Sequence, residues 1–234
     1  MSIHVQNLTK HYGKQKTLDN VTFQTPSNRI IGFLGPNGAG KSTTMKTLAG
    51  ILPIESGQCR IDGIDIQQDS LLTKQNIGYL PENNPLYADL YVQEMLEYQA
   101  ALYKLKHPKS RIQEVITLAG LENEQHKKIK ELSKGYKQRV GLACAIIHDP
   151  RVLILDEPTT GLDPNQILEI RQLIRELAQD KTVLLSTHLM QEVEAICDEI
   201  IVIHQGKIKD QLLNDKAQRY PNLSMEDIFV LLTK

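Results

Sequence analysis

The sequence predicts an α/β fold in which a largely parallel β-sheet is covered by helices on both faces and interrupted by a helical insert. Two observations lead to this prediction. Short apolar strands alternate with helical segments in the first and last thirds of the chain, which is typical of parallel sheets. Between them, residues 92–148 show helical periodicity alone. We therefore expect a mostly parallel core with an inserted helical subdomain.

Composition narrows the functional classes. The 234 residues include 27 basic and 28 acidic side chains, a formal net charge of −1. This balance gives no electrostatic footprint for nucleic acid, so we expect no nucleic-acid partner. The three cysteines are far apart and lack metal-ligand spacing. No apolar run approaches the ~20 residues that span a bilayer, and no signal peptide is expected at the N-terminus. If the protein serves a membrane, it must dock on another chain.

The first third of the chain predicts strands and one glycine-flanked helix. The helix begins after Lys41 and ends near Gly50, a common helix stop. An Asp62-Gly63 pair between two short strands predicts a hairpin. The predicted strands cover residues 3–8, 21–24, 30–34, 58–61, 64–66 and 77–80.

The rest of the chain predicts the helical insert followed by a return to the core. The insert should break near residues 107–108 and near Gly120. Asp163 is a suitable N-cap for a helix over 164–178, and residues 224–227 form a capping box for a last short helix. The remaining elements are strands at 151–155, 182–186, 199–204 and 207–212 and a helix at 189–197. We expect one domain, with a core of residues 1–82 and 151–234, a helical subdomain of residues 83–150, and an antiparallel edge.

A glycine-rich loop follows the predicted strand 30–34 and precedes a helix. It has the pattern G-x-x-x-x-G-K-[ST], in which glycines let backbone N–H groups wrap around phosphates at a helix N-terminus. Lys41 would place its charge on the β- and γ-phosphates, and Ser42 would offer a hydroxyl to Mg²⁺. The alternative is an ordinary glycine-rich turn. The expected nucleotide-binding residues here are Gly35, Pro36, Asn37, Gly38, Ala39, Gly40, Lys41, Ser42 and Thr43.

Two acids end the apolar strand at 151–155. A buried strand places Asp156 at the carboxyl edge of the sheet, where ligands bind in open α/β folds. Asp156 can hold Mg²⁺, and Glu157 can polarise the attacking water. His188 ends the next strand, where a γ-phosphate contact is expected. The alternatives are two solvated acids and a structural histidine.

The segment 132–139, Leu-Ser-Lys-Gly-Tyr-Lys-Gln-Arg, resembles the L-S-G-G-Q signature of the ATP-binding cassette subunits of ABC transporters. With the phosphate loop and the acidic pair, the resemblance extends over nearly the whole chain. It implies that the signature of one subunit closes over the ATP held by its partner. Ser133 and the N–H of Gly135 would then reach the γ-phosphate. Without the family, Ser133 is simply a good N-cap.

Other positions match the family one by one. Tyr12 lies where an aromatic ring stacks on adenine, although a lone tyrosine is more often a packing residue. The segment 161–163, Gly-Leu-Asp, resembles the loop that touches the opposite subunit. Glu82 replaces the usual glutamine that senses Mg²⁺ and the attacking water and couples to the membrane partner. Lys134 and Tyr136 are further departures from the signature.

The resemblance implies an ATP-binding and ATP-hydrolysing subunit with ATP and Mg²⁺ as cofactors. Its expected partners are a separate transmembrane permease and a second copy of itself, and its expected place is the cytoplasmic face of the membrane. Segments 79–87 and 132–136 resemble bacterial exporter cassettes, and most of all the gliding-motility type. Segment 224–229 also resembles the exporter and drug-resistance branch. Two alternatives remain: a soluble ATPase switch acting on nucleic acid or ribosomes, and a small-molecule kinase.

Overall fold

The computed structural model describes residues 2–212, 219–220 and 223–234. Within these ranges the chain forms two β-sheets flanked by helices, as the alternating pattern predicts. The strands are β1 (Ile3–Tyr12), β2 (Gln15–Thr25), β3 (Ile30–Leu34), β4 (Ser56–Ile61), β5 (Ile64–Asp65), β6 (Ile77–Leu80), β7 (Val152–Asp156), β8 (Thr182–Thr187), β9 (Glu199–His204) and β10 (Lys207–Leu212).

The larger sheet has the strand order β10-β9-β3-β8-β7-β6. The five strands from β9 to β6 run parallel, and only β10 pairs antiparallel. Every residue of β3, β7 and β8 is buried, which explains why these strands read as continuous apolar runs. The mostly parallel sheet and its antiparallel edge are therefore confirmed.

The smaller sheet is antiparallel, with the order β2-β1-β4-β5. The predicted turn at Asp62 and Gly63 joins β4 to β5, and both residues have positive φ angles, 49° and 80°, as this hairpin turn requires. The first two strands are longer than predicted and meet in a tight hairpin near Gly13. The residues beyond the prediction mix exposed polar side chains with buried ones such as Lys10 and Leu18, so hydrophobic alternation did not reveal them.

The helices agree with the sequence prediction except for α2, which was not predicted. That helix has seven residues and is capped by Asp69, whose side chain accepts a hydrogen bond from the Leu72 N–H at 3.0 Å. The helices are α1 (Lys41–Leu48), α2 (Ser70–Asn76), α3 (Val92–Leu102), α4 (Pro108–Leu118), α5 (Lys134–Ile146), α6 (Pro164–Leu177), α7 (Met190–Ile196) and α8 (Met225–Thr233), with a short 3₁₀ turn at Ile129–Glu131. None of these described helices is long and apolar enough to cross a membrane.

The parallel sheet separates two apolar clusters. Leu153 and Leu155 face the cluster that contains the helices of the insert, whereas Val152 and Ile154 face the cluster shared by α1 and the smaller sheet. This division follows the two-residue period of a strand. The insert is therefore anchored to the sheet through a shared core, and the exact boundaries at residues 82 and 151 stay a prediction.

Candidate active site

A cavity of about 400 Å³ opens at the carboxyl edge of the larger sheet, beside the N-terminus of α1. This is the edge where the sequence placed the nucleotide, and most of the lining belongs to the predicted phosphate loop and acidic pair. The lining residues are Thr17, Asn37, Gly38, Gly40, Lys41, Ser42, Thr43, Glu82, Glu157, Thr160 and His188.

Lys41 is the first residue of α1, and its side chain turns back over the glycine loop. Its ammonium group donates to the carbonyl oxygens of Gly35 at 2.8 Å and Pro36 at 3.3 Å, and lies 3.4 Å from Glu157 Oε1. Gly40 has a φ of 109°, and a Cβ there would lie 2.7 Å from Leu18 Cδ2. Only glycine fits this position, so the loop that presents the ammonium group depends on it.

Asp156 ends β7 and is fully buried. Its Oδ1 accepts hydrogen bonds from the hydroxyls of Ser42 at 3.1 Å and Ser186. Its Oδ2 is buried and has no hydrogen-bond partner among the described residues. Buried carboxylate oxygens are normally satisfied, and a free one beside a serine hydroxyl is a donor set that suits a hard divalent cation. These residues therefore fit Mg²⁺.

Glu157 follows Asp156 with a φ of 51°, a left-handed conformation that is rare outside glycine and often marks functional sites. Its N–H donates to Ser186 Oγ at 3.1 Å. Its buried carboxylate accepts hydrogen bonds from Thr160 Oγ1 and from His188 Nδ1, both at 2.9 Å. The side chain of His188 is 39% exposed toward the cavity. The structure thus brings the predicted Glu157 and His188 into direct contact.

Comparison with known proteins agrees with this geometry. A family model described as ABC transporter matches residues 18–160. The bacitracin transport ATP-binding protein BcrA of Bacillus licheniformis is 38% identical over 231 residues, covering 96% of this chain and 75% of the relative. This chain belongs to the ABC transporter ATP-binding family. Cassettes of this family bind and hydrolyse ATP, so the chain is an ATPase.

Solved structures confirm the cassette fold. The structure of an ATP-binding subunit of an ABC transporter matches the whole chain with a TM-score of 0.90 at 30% identity, and is itself fully covered. The dimeric ATP-binding cassette MJ0796, bound to ADP and Pi, matches 89% of the chain and is 97% covered, with a TM-score of 0.80 at 26% identity. Subunits of this family dimerise and pair with membrane permeases.

Not every predicted site residue lines the cavity. Glu82 lines it as an exposed side chain. Tyr12 is 50% exposed at the end of β1 and is not among the lining residues. Ser133 and Gly135 lie at the start of α5, also outside the lining, with Ser133 exposed as the N-cap that accepts from the Tyr136 N–H at 3.4 Å. Within one cassette, the signature segment therefore does not line the phosphate cavity.

The sequence analysis missed several residues of the cassette that the structure places at the site. Thr17 and Thr160 line the cavity, and Ser186 hydrogen-bonds to both members of the acidic pair. Ser186 did carry a signal, since it is a polar residue at the buried end of an apolar strand beside His188. Thr17 carried none, because it reaches the cavity only when the smaller sheet folds against α1.

Proposed function

We propose that this cassette drives export through a separate membrane subunit by hydrolysing ATP at the cavity beside α1. The observation that carries this proposal is the contact of Lys41, Glu157 and His188 around one cavity at the edge of the parallel sheet. A lysine on the phosphates and a carboxylate that orients the attacking water are recurring parts of γ-phosphoryl transfer, and an imidazole held by that carboxylate is placed to contact the γ-phosphate.

We assign each catalytic residue a role. Lys41 exchanges its carbonyl partners Gly35 and Pro36 for the β- and γ-phosphates, because a triphosphate neutralises the ammonium better than two neutral oxygens do. Glu157 accepts the proton of the attacking water as general base, and His188, held by its Nδ1 on Glu157, turns its other nitrogen to the γ-phosphate. The loop 35–43 supplies N–H donors to the phosphates, and Tyr12 stacks on adenine from the adjacent hairpin.

We assign the metal ion to Ser42, Asp156 and Glu82. The unpaired Oδ2 of Asp156 and the nearby Ser42 hydroxyl are its proposed ligands from the core, and Glu82 adds an oxygen from the start of the insert. Mg²⁺ bound there would neutralise charge on the β- and γ-phosphates. Glutamate in place of the usual glutamine keeps an oxygen ligand, so hydrolysis is expected to persist.

The second half of each site comes from another copy of the chain. Ser133 is exposed at the N-terminus of α5, whereas Gly135 is buried beneath the Gln166 side chain. A second cassette related by a two-fold axis would place Ser133 over the first cassette's ATP, and a shift of Gln166 would let the Gly135 N–H reach it. The segment 161–163 would touch the same partner. This arrangement yields two equivalent ATP sites in a homodimer. Closure of the homodimer provides the movement that drives the membrane subunit.

A groove between the core and the insert is the proposed permease surface. Its volume is about 520 Å³, and its walls include apolar residues of both parts, such as Ile51, Leu86, Met95 and Tyr103. Tyr79 also lines the groove; burial raises the pKa of its phenol, and the nearby carboxylates of Asp156 and Glu82 raise it further. A permease seated here would hold the cassette at the cytoplasmic face of the membrane.

We infer export because the relative BcrA is named for bacitracin transport and segments 79–87 and 224–229 resemble exporter cassettes. The gliding-motility link also rests on that resemblance and is a further prediction. The nucleic-acid or ribosome switch is not favoured, since the balance of 27 basic and 28 acidic residues gives no electrostatic footprint for nucleic acid. Co-purification of the cassette with a multi-span membrane protein would support coupling to a permease, and co-purification with ribosomes would contradict it.

Substitution of Glu157 by Gln tests the ATPase mechanism. The amide keeps the hydrogen bond from Thr160 but cannot accept a proton, so we expect ATP binding to persist while kcat falls by about 10²-fold or more. The trapped protein should elute as a dimer with ATP and as a monomer without it in size-exclusion chromatography. The double variant E157Q and K41A is the control that should stay monomeric. An E157Q protein that stays monomeric at saturating ATP would overturn the two-copy site.

A further inference from the structure

Glu192 is a completely buried carboxyl group that the proposed mechanism does not use. It lies in the first turn of α7, directly behind the Glu157–His188 pair, with no exposed surface. Full burial of an unpaired ionised carboxylate costs several kcal/mol, and Asp and Glu are almost never fully buried without partners. Its contacts therefore indicate what it stabilises.

The carboxyl group of Glu192 joins the two segments that carry the proposed catalytic residues. Its Oε1 accepts a hydrogen bond from Thr159 Oγ1 at 2.7 Å. Thr159 is buried and lies two residues after Glu157. Glu192 itself lies four residues after His188, in the first turn of the helix that follows β8, and its Oε2 is buried without a hydrogen-bond partner among the described residues. The Thr159 hydrogen bond thus joins the segment after β7 to the helix that follows His188.

The electrostatic environment of Glu192 suits this bridging role. Burial raises the pKa of its carboxyl group above the ordinary value, and the negative charge of Glu157 raises it further, whereas Thr187, Thr159 and Arg171 of α6 act in the opposite direction. A neutral amide at the same place could still accept the Thr159 hydrogen bond through its oxygen.

We propose that Glu192 is a positioning residue for ATP hydrolysis, which sets the contact of Glu157 with His188 by tying Thr159 to the helix that follows His188. The contact is 2.9 Å long and joins side chains from two different strands, so its length depends on how the ends of β7 and β8 are fixed. Thr159 also begins the loop that leads to residues 161–163, so Glu192 ties the hydrolysis pair to the segment facing the second copy. The inference rests on the roles proposed for Glu157 and His188.

Four variants test this role by steady-state ATP hydrolysis and ATP binding. We expect E192A and T159V to lower kcat by about tenfold to a hundredfold, because small misplacements of catalytic groups have effects of that size. The Kd for ATP should change less than about twofold, because the phosphate loop is untouched. E192Q should restore most of the rate. T182V is the matched control, since Thr182 is an equally buried threonine at the opposite end of β8, bonded to the Asn28 N–H.

The outcomes separate this inference from the function on which it rests. If E192A does not fold, the kcat of T159V still tests the positioning role, because this variant removes one hydroxyl without changing the side-chain shape. Normal kcat in T159V and E192A, with hydrolysis abolished in E157Q, would overturn only the positioning role. A loss of kcat in T182V equal to that in T159V would assign the effect to stability. Normal hydrolysis in E157Q would overturn the proposed roles of the pair themselves.

Discussion

Lys134 shows at the level of a single residue how this cassette accommodates a departure from its family's signature. A Cβ on Gly161 would lie only 2.1 Å from the Lys134 ammonium nitrogen, so the lysine side chain extends across Gly161 within the same chain. Gly161 has a φ of 72°, a conformation that glycine adopts without strain. The Lys134 side chain thus occupies the space beside Gly161, which has no side chain of its own. Gly161 belongs to the segment proposed to face the second copy.

His148 provides a pH-dependent prediction at the residue scale. Its ring stacks on Tyr103 at 3.7 Å, and its Nε2 donates to the Ile77 carbonyl at 3.0 Å. Burial lowers its pKa to about 4, whereas the histidine side chain in the unfolded chain should titrate near its ordinary pKa of 6.5. The unfolded state therefore binds more protons between these values, and stability must fall as the pH decreases from about 6.5 toward 4.

We expect this group to reduce the free energy of unfolding by about 1–2 kcal/mol between pH 8 and pH 5. Urea denaturation at both pH values measures the change. His148→Phe keeps the ring stack but cannot titrate, so the variant should lose that part of the pH dependence. Its free energy of unfolding should be lower by the same amount at every pH, because the hydrogen bond to Ile77 is missing. Identical pH dependence in variant and wild type would show that His148 is not the titrating group.

At the scale of elements, one contact joins the segment after β6 to the helix that carries the signature. Asn84 Nδ2 donates to the Lys137 carbonyl of α5 at 3.0 Å. A Cβ on Gly141, one turn further along α5, would lie 1.9 Å from that nitrogen and 2.7 Å from Leu80 Cδ1. The close approach of the Glu82 segment to α5 therefore depends on glycine at position 141.

Substitution of Gly141 by Ala should destabilise the fold, although alanine normally favours a helix interior by up to ~1 kcal/mol. The clash outweighs that preference, with an expected cost of about 1–3 kcal/mol. In the N84A variant the Asn84 nitrogen is absent, so G141A should lower the free energy of unfolding by a smaller amount there. Urea denaturation of the four proteins measures this coupling, and strictly additive effects would contradict the contact.

Elements were predictable from the sequence where one physical signal dominated. The buried strands at β3, β7 and β8 and the caps at Asp163 and Ser224 follow from apolar runs and capping residues, and the structure confirms them. The helix α2 was missed because its side chains are mostly exposed, and the extensions of β1 and β2 were missed because polar residues predominate in them. Hydrogen bonding between the two strands defines those extensions, and the Asp69 cap marks the start of α2.

For the whole molecule, the decisive prediction is that each ATP site is shared by two copies. K41A disables the phosphate loop but leaves the signature intact, whereas Ser133→Arg blocks the signature but leaves the loop intact. Each variant alone should lack ATPase activity. A mixture should regain activity, because a mixed dimer unites one intact loop with one intact signature. Absence of activity in the mixture, with both variants folded by circular dichroism, would place the whole site within one copy.

The sequence by itself determined the chemistry of the phosphate loop, because Gly40, Lys41 and Ser42 are adjacent and their spacing alone shapes an anion site. It also determined the acidic pair at the end of β7, since a buried strand must present its last residues at the sheet edge. Only the tertiary structure decided the contacts of Glu157 with His188 and of Thr159 with Glu192. These partners are 31 and 33 residues apart along the chain, and the pairing of β7 with β8 and the packing of α7 bring them within hydrogen-bond distance.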